Sequence, residues 1–125
     1  MVAIKLLVKS ESVWGKPNMR LWIPEDPSRI AEEVMIDIGP RDKKWANTFT
    51  LRLATPQGLE ELTARGGILA TRPLLVMKRY DFGDFWRWLE VTVASCESNE
   101  WSTCVTRLRR FFDWEYDGME HRSPG

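Results

Sequence analysis

The chain has 125 residues, 18 Lys and Arg balanced by 18 Asp and Glu, two cysteines, one histidine and seven tryptophans. That length is one domain's worth, and such a chain buries roughly two-thirds of its unfolded surface without help from disulfides or metals. Balanced charge excludes the global field of a dedicated nucleic-acid or membrane-surface binder. No apolar run nears membrane-spanning length and no charged-then-apolar leader opens the chain, so a cytoplasmic protein with reduced thiols is expected.

Taken in order, Val2, Ile4, Leu6 and Val8 alternate with Ala3, Lys5 and Leu7, which predicts an opening strand at an edge. The alternation breaks from Ser10 to Pro27. Gly15-Lys16-Pro17-Asn18 reads as a turn and Pro24-Glu25-Asp26-Pro27 as a rigid acidic loop, with Leu21-Trp22-Ile23 between them a short strand or a packed loop segment. Val34, Ile36 and Ile38 stop at Gly39-Pro40, and Phe49, Leu51 and Leu53 alternate with Thr48, Thr50 and Arg52. These two strands predict an antiparallel hairpin with a solvated tip carrying Trp45.

Thr55-Pro56 is a helix start, a threonine cap followed by a proline whose missing N–H costs nothing there. Leu59 and Leu62 supply its apolar stripe and Gly66-Gly67 its stop. After Pro73 comes Leu74-Leu75-Val76-Met77, the longest apolar run, read through to Asp81 as a central strand buried on both faces. Asp81 or Asp84 then caps a helix to about Glu97, striped by Phe82, Phe85, Leu89, Val93 and Cys96. Ser98 or Asn99 caps the next, with Trp101, Cys104 or Val105, Leu108, and Phe111 or Phe112 inward and Thr106, Arg107, Arg109 and Arg110 outward. Phe112, Trp114 and Tyr116 alternate with Asp113, Glu115 and Asp117 as a short last strand. The reading is a single α+β domain over residues 1–117 with a flexible tail at 118–125. Its order is β-β-β-α-β-α-α-β, a two-layer sandwich of an antiparallel-dominated sheet with helices on one side.

Few residues offer chemistry. The one histidine, His121, lies in the tail, and without a second neither a zinc site nor a Ser-His or Cys-His pair can be assembled. Cys96 and Cys104 sit on inner stripes, where they read as packing groups. The paired carboxylates (Glu25 with Asp26, Glu32 with Glu33, Glu60 with Glu61, Asp81 with Asp84) occupy loops, caps and helix faces. No glycine-rich phosphate loop is present. Arg107, Arg109 and Arg110 near a helix C-terminus complement its dipole, which accounts for them without nucleic acid. The loop Trp22–Pro27 stays open between two readings, a rigid binding loop or a turn with Trp22 in the core. Seven tryptophans exceed what a core of this size needs, so some are expected at the surface as interface anchors.

The segments Trp22-Ile23-Pro24-Glu25-Asp26-Pro27, Ile38-Gly39-Pro40, Phe49-Thr50-Leu51 and Thr55-Pro56 recur in a familiar order. Leu74-Leu75-Val76, Arg79-Tyr80-Asp81, Cys96, Trp101 and Arg107-Leu108-Arg109-Arg110 through Trp114-Glu115-Tyr116 continue it. Together they resemble the Immunity protein 8 family of bacterial polymorphic toxin systems across nearly the whole chain. The sequence departs from the family's pattern at Gln57-Gly58-Leu59 and in ending its last strand at Tyr116-Asp117-Gly118. The resemblance implies a non-enzymatic antidote in the cytoplasm that binds a cognate toxin's effector domain and blocks it. No cofactor, metal, nucleic acid, membrane or small-molecule substrate is expected. The motif residues read as structural, so contact residues are chosen on exposure and composition: Trp22, Glu25 and Asp26 on the rigid loop, Trp45 at the hairpin tip, and Glu115 and Asp117 on the last strand. Two other classes are carried beside this one, a carboxylate-dependent hydrolase, which needs a concave site with convergent carboxylates, and a nucleic-acid-binding module, which needs a contiguous basic face.

Overall fold

A computed structural model describes residues 3–13, 16, 18–64, 67 and 73–117. Five strands and three α-helices follow one another as expected: β1 (Leu6–Val13), β2 (Ala31–Pro40), β3 (Asn47–Ala54), α1 (Pro56–Ala64), β4 (Leu74–Val76), α2 (Phe82–Ala94), α3 (Trp101–Leu108) and β5 (Asp113–Trp114). The fold is α+β, with one mainly antiparallel sheet covered by helices on one face. Val2, Gly15, Pro17, Gly66, His121 and the tail 118–125 lie outside the described residues.

β2 and β3 form the centre of the sheet, paired without interruption from Ala31↔Ala54 to Ile38↔Asn47. Their alternation decides which face is buried. Val34, Ile36 and Ile38 on β2 and Phe49, Leu51 and Leu53 on β3 are shut from solvent, and they pack against Phe85, Leu89 and Val93 of α2 and Cys104, Val105 and Leu108 of α3. Met35, Asp37, Thr48 and Thr50 line the opposite, polar face. Asp37 ties two strands there, accepting from Ser10 Oγ at 2.6 Å and Thr48 Oγ1 at 2.7 Å.

The opening strand begins later than its alternation suggested, at Leu6 with residues 3–5 outside it, and runs on past Val8 because a bulge reverses its phase. Leu6 and Val8 pair with Pro40 and Ile38, but beyond Val8 the register slips, so that Glu11 and Val13 pair with Ile36 and Val34. Even-numbered residues face the core before the bulge and odd-numbered ones after it. A strict period of two therefore fails at Ser10 although the strand runs on to Val13. The extra residue is Lys9, whose ammonium reaches across to the carbonyl oxygens of Lys43 and Trp45 at the hairpin tip.

The apolar run at Leu74 is not a central strand. Only Leu74–Val76 is extended, and it pairs in parallel with Arg52, Leu53 and Ala54 on one side alone. Leu74 and Val76 are 42% and 48% exposed, while Leu75 turns toward the core. A continuous apolar run fits two-faced burial, but it fits equally a short edge strand that buries one residue of three. The last strand is also shorter than expected, two residues pairing antiparallel with Phe49 and Thr50. Since β2 occupies the other side of β3, β4 and β5 lie end to end along a single edge of β3.

The helix starts are mixed in outcome. Asp81 caps α2, its Oδ1 accepting from Asp84 N at 2.9 Å. Neither Ser98 nor Asn99 caps α3; Glu100 holds that position with no side-chain hydrogen bond. Arg107 does not face outward, but turns back to donate to Glu97 O at 2.6 Å, across the turn between α2 and α3. Thr55 caps α1 as expected, accepting from Gly58 N at 3.2 Å. The same hydroxyl accepts from Ile30 N at 2.9 Å and donates to Ser28 O at 2.6 Å, fastening the acidic loop to the helix start. Gly58 lets this happen, since any side chain there would overlap the backbone of Ile30.

Candidate functional site

The strands of the hairpin separate the six residues chosen from the sequence into two groups. β2 is ten residues long, so its ends stand roughly 30 Å apart. Trp22, Glu25 and Asp26 lie at its start, beside α1. Trp45, Glu115 and Asp117 lie at its far end, next to Asn47.

At the start of β2 the chain enters from a 3-10 turn, Met19–Leu21, capped by Asn18, whose Oδ1 accepts from Arg20 N at 3.0 Å. Met19 is fully buried. The Arg20 guanidinium lies 4.9 Å above the Phe82 ring and 5.3 Å from that of Trp86, a cation held by two aromatic faces. Trp22 packs on Tyr80 with ring centroids 4.9 Å apart, so the tucked-in reading of Trp22 is the one the fold adopts. Asp26 closes the loop, its Oδ1 accepting from Ser28 N at 3.0 Å and Ser28 Oγ at 2.6 Å, and these bonds hold its carboxyl below the usual carboxylate range. Tyr80 N donates to Pro27 O at 2.8 Å. Glu25 is exposed and, among the described residues, makes no ion pair or hydrogen bond.

The sequence reading passed over what stands between these fixed points. Leu21 is 75% exposed and Ile23 90% exposed, the most exposed large apolar side chains among the described residues. The signal was available: Met19, Leu21, Trp22 and Ile23 are four apolar residues in a five-residue segment too short to bury them all.

At the other end, Trp45 is about half exposed and meets Trp101 edge-on at 4.9 Å. The two indoles border a cleft of about 540 Å³ with Ile4 and Pro40, rimmed by Lys5, Arg41, Asp42 and Lys43. Glu115 and Asp117 have work within the fold. Glu115 Oε2 accepts from Thr48 N at 3.0 Å, while Asp117 pairs with Arg109 at 2.6 Å and accepts from Trp114 N at 2.8 Å.

Elsewhere, burial raises the Cys96 and Cys104 thiols above the usual range, and both are free. Burial likewise raises Glu11, against the opposing pull of Arg20, and lifts Tyr80 to about 12 with help from Asp81 and Glu11. Among the described residues no three His, Cys, Asp or Glu side chains gather into a group that could hold a metal, and no helix is long and apolar enough to cross a membrane.

These features define a small α+β protein with a candidate contact surface at each end of a hairpin. A family model described as Immunity protein 8 matches residues 6–119, which takes in every strand and helix above. The chain belongs to the Immunity protein 8 family. No curated protein and no solved structure matches it.

Proposed function

We propose that this protein binds the effector domain of a cognate polymorphic toxin in the cytoplasm of the producing cell and blocks it stoichiometrically, with no turnover of its own. Membership of an immunity-protein family from residue 6 to residue 119 carries the reading. The contact centres on the loop at the start of β2, where Glu25 is free and Trp22 and Asp26 hold the loop in shape. Trp45, Glu115 and Asp117 lie too far away to share a small contact with it, and would join only in a broad one. The test is co-expression with the effector domain of the toxin encoded beside this chain, joined to calorimetry on the purified pair. Protection with a 1:1 complex and an effector domain of unchanged mass is the expected result. A wild-type protein that neither binds nor protects would remove the reading, and chemical alteration of the effector domain would replace stoichiometric blockade with catalysis.

A further inference from the structure

Two apolar side chains project into water from a segment that the fold otherwise holds down at nearly every residue. Met19 is buried, Arg20 is stacked on two rings, Trp22 is against Tyr80, and Asp26 is closed on Ser28. Pro24 and Pro27 fix their own φ angles. Leu21 and Ile23, on either side of Trp22, are the large apolar side chains that the segment leaves exposed. A single exposed apolar residue needs no explanation. Here, however, the segment is already ordered before any partner arrives, so docking it forfeits little conformational entropy. The acids beside the pair set the sign of the partner. Glu25 is unpaired among the described residues, the Asp26 carboxyl is held low by Ser28, and Glu32 lines the same cleft. Against them stand Lys16, Arg79 and Arg29, the last two acting on Asp26 and Arg29 also engaged with Glu61 at 2.9 Å, which leaves Glu25 as the acid with no cation against it among the described residues.

We infer that Leu21 and Ile23 form the anchor of the toxin contact, entering an apolar pocket on the effector domain whose rim carries lysine or arginine facing Glu25 and Asp26. This rests on the toxin-binding reading above and adds to it the anchor and the chemistry of the surface that receives it.

Binding of an inactivated effector domain from the adjacent toxin is measured by calorimetry at two salt concentrations. Ile23→Asp and Leu21→Asp are each expected to raise Kd about thirtyfold or more, as the loss of a hot-spot side chain does. Ile23→Val should stay within about threefold. Glu25→Lys should weaken binding about tenfold and flatten its salt dependence. The melting points should stay near that of the wild type, because the side chains replaced are exposed. If the wild type binds and both aspartate variants bind within about threefold of it, the anchor is refuted while the toxin-binding reading stands. If the aspartate variants fail but Glu25→Lys binds as tightly or more tightly, the cationic rim is refuted. If the wild type does not bind, the inference falls together with the reading beneath it.

Discussion

Thr55 does three things with one hydroxyl: it caps α1, receives the Ile30 amide and donates to the Ser28 carbonyl. Thr55→Val keeps the shape but strands buried backbone partners, so a loss of about 2–3 kcal/mol is expected by chemical denaturation. A loss under half of that would mean water replaces the hydroxyl. Glu11 is the opposite case, a carboxylate on the core-facing side of β1 with only 9% of its surface exposed. Its folded pKa is raised by burial, with Arg20 opposing. The folded state therefore holds the proton more tightly than the unfolded one. The corresponding stability is fully present below the unfolded value near 4.5 and is lost as pH rises through the higher folded value. Glu11→Gln should then raise the melting point at neutral pH and flatten the slope of stability between mildly acidic and neutral pH. An unchanged slope would show that Arg20 compensates for the burial. The raised, buried thiols of Cys96 and Cys104 should react with a disulfide reagent only once the chain unfolds, and reductant should leave the melting point where it was.

Among the elements, β3 carries the sheet, and the apolar run after Pro73 is an edge to it. Leu53 is buried at the centre whereas Leu75, its partner in β4, is only partly covered. Leu53→Ala should cost about 2–5 kcal/mol, and Leu75→Ala less, since less surface is returned to water and the site opens to solvent. Equal costs would restore Leu74–Val76 to a central role. What the sequence made legible here were elements whose burial and periodicity agree. β2 and β3 bury one face throughout, Asp81 caps α2, and Thr55 with Pro56 opens α1. The failures have a common cause, in that periodicity reports local burial and is blind to what lies alongside. A bulge at Lys9 hid half of β1, a single-sided pairing made an edge strand look central, and Glu100 took a capping position that Ser98 and Asn99 were better suited to fill. The close approach of Gly58 to Ile30 could not be read at all, because it depends on a neighbour 28 positions earlier.

At the scale of the whole molecule, a strand pair roughly 30 Å long holds apart two surfaces, one around Leu21, Ile23 and Glu25, the other a tryptophan cleft rimmed by Lys5, Arg41, Asp42 and Lys43. The loop from Trp22 to Pro27 stood out in the sequence, but the roles inside it did not. Whether an indole faces in or out depends on Tyr80, more than fifty residues later, and with Trp22 drawn in, Leu21 and Ile23 are left exposed. Removing the ring beneath should therefore disturb the loop indirectly. Tyr80→Ala is expected to lower the melting point and, on the toxin-binding reading, to weaken binding through disorder of the loop. Tyr80→Phe should spare both, because the Tyr80 hydroxyl has no hydrogen-bond partner among the described residues. A phenylalanine variant that binds poorly would give the hydroxyl a role that packing does not supply.

The end-to-end placement of β4 and β5 has a consequence for a chain made on a ribosome. Residues 52–54 gain their neighbour once the segment through Val76 has emerged, whereas Phe49 and Thr50 wait for Asp113 and Trp114, much further along the chain. Until they emerge the nascent sheet offers half an open edge, the kind that recruits strands from other chains. The emergence of Asp113 and Trp114 completes it. A message ending at residue 112 should yield a protein that self-associates, and light scattering on that product would tell. If it is monomeric and melts with the full-length protein, the last strand is an ornament on the edge, not its closure.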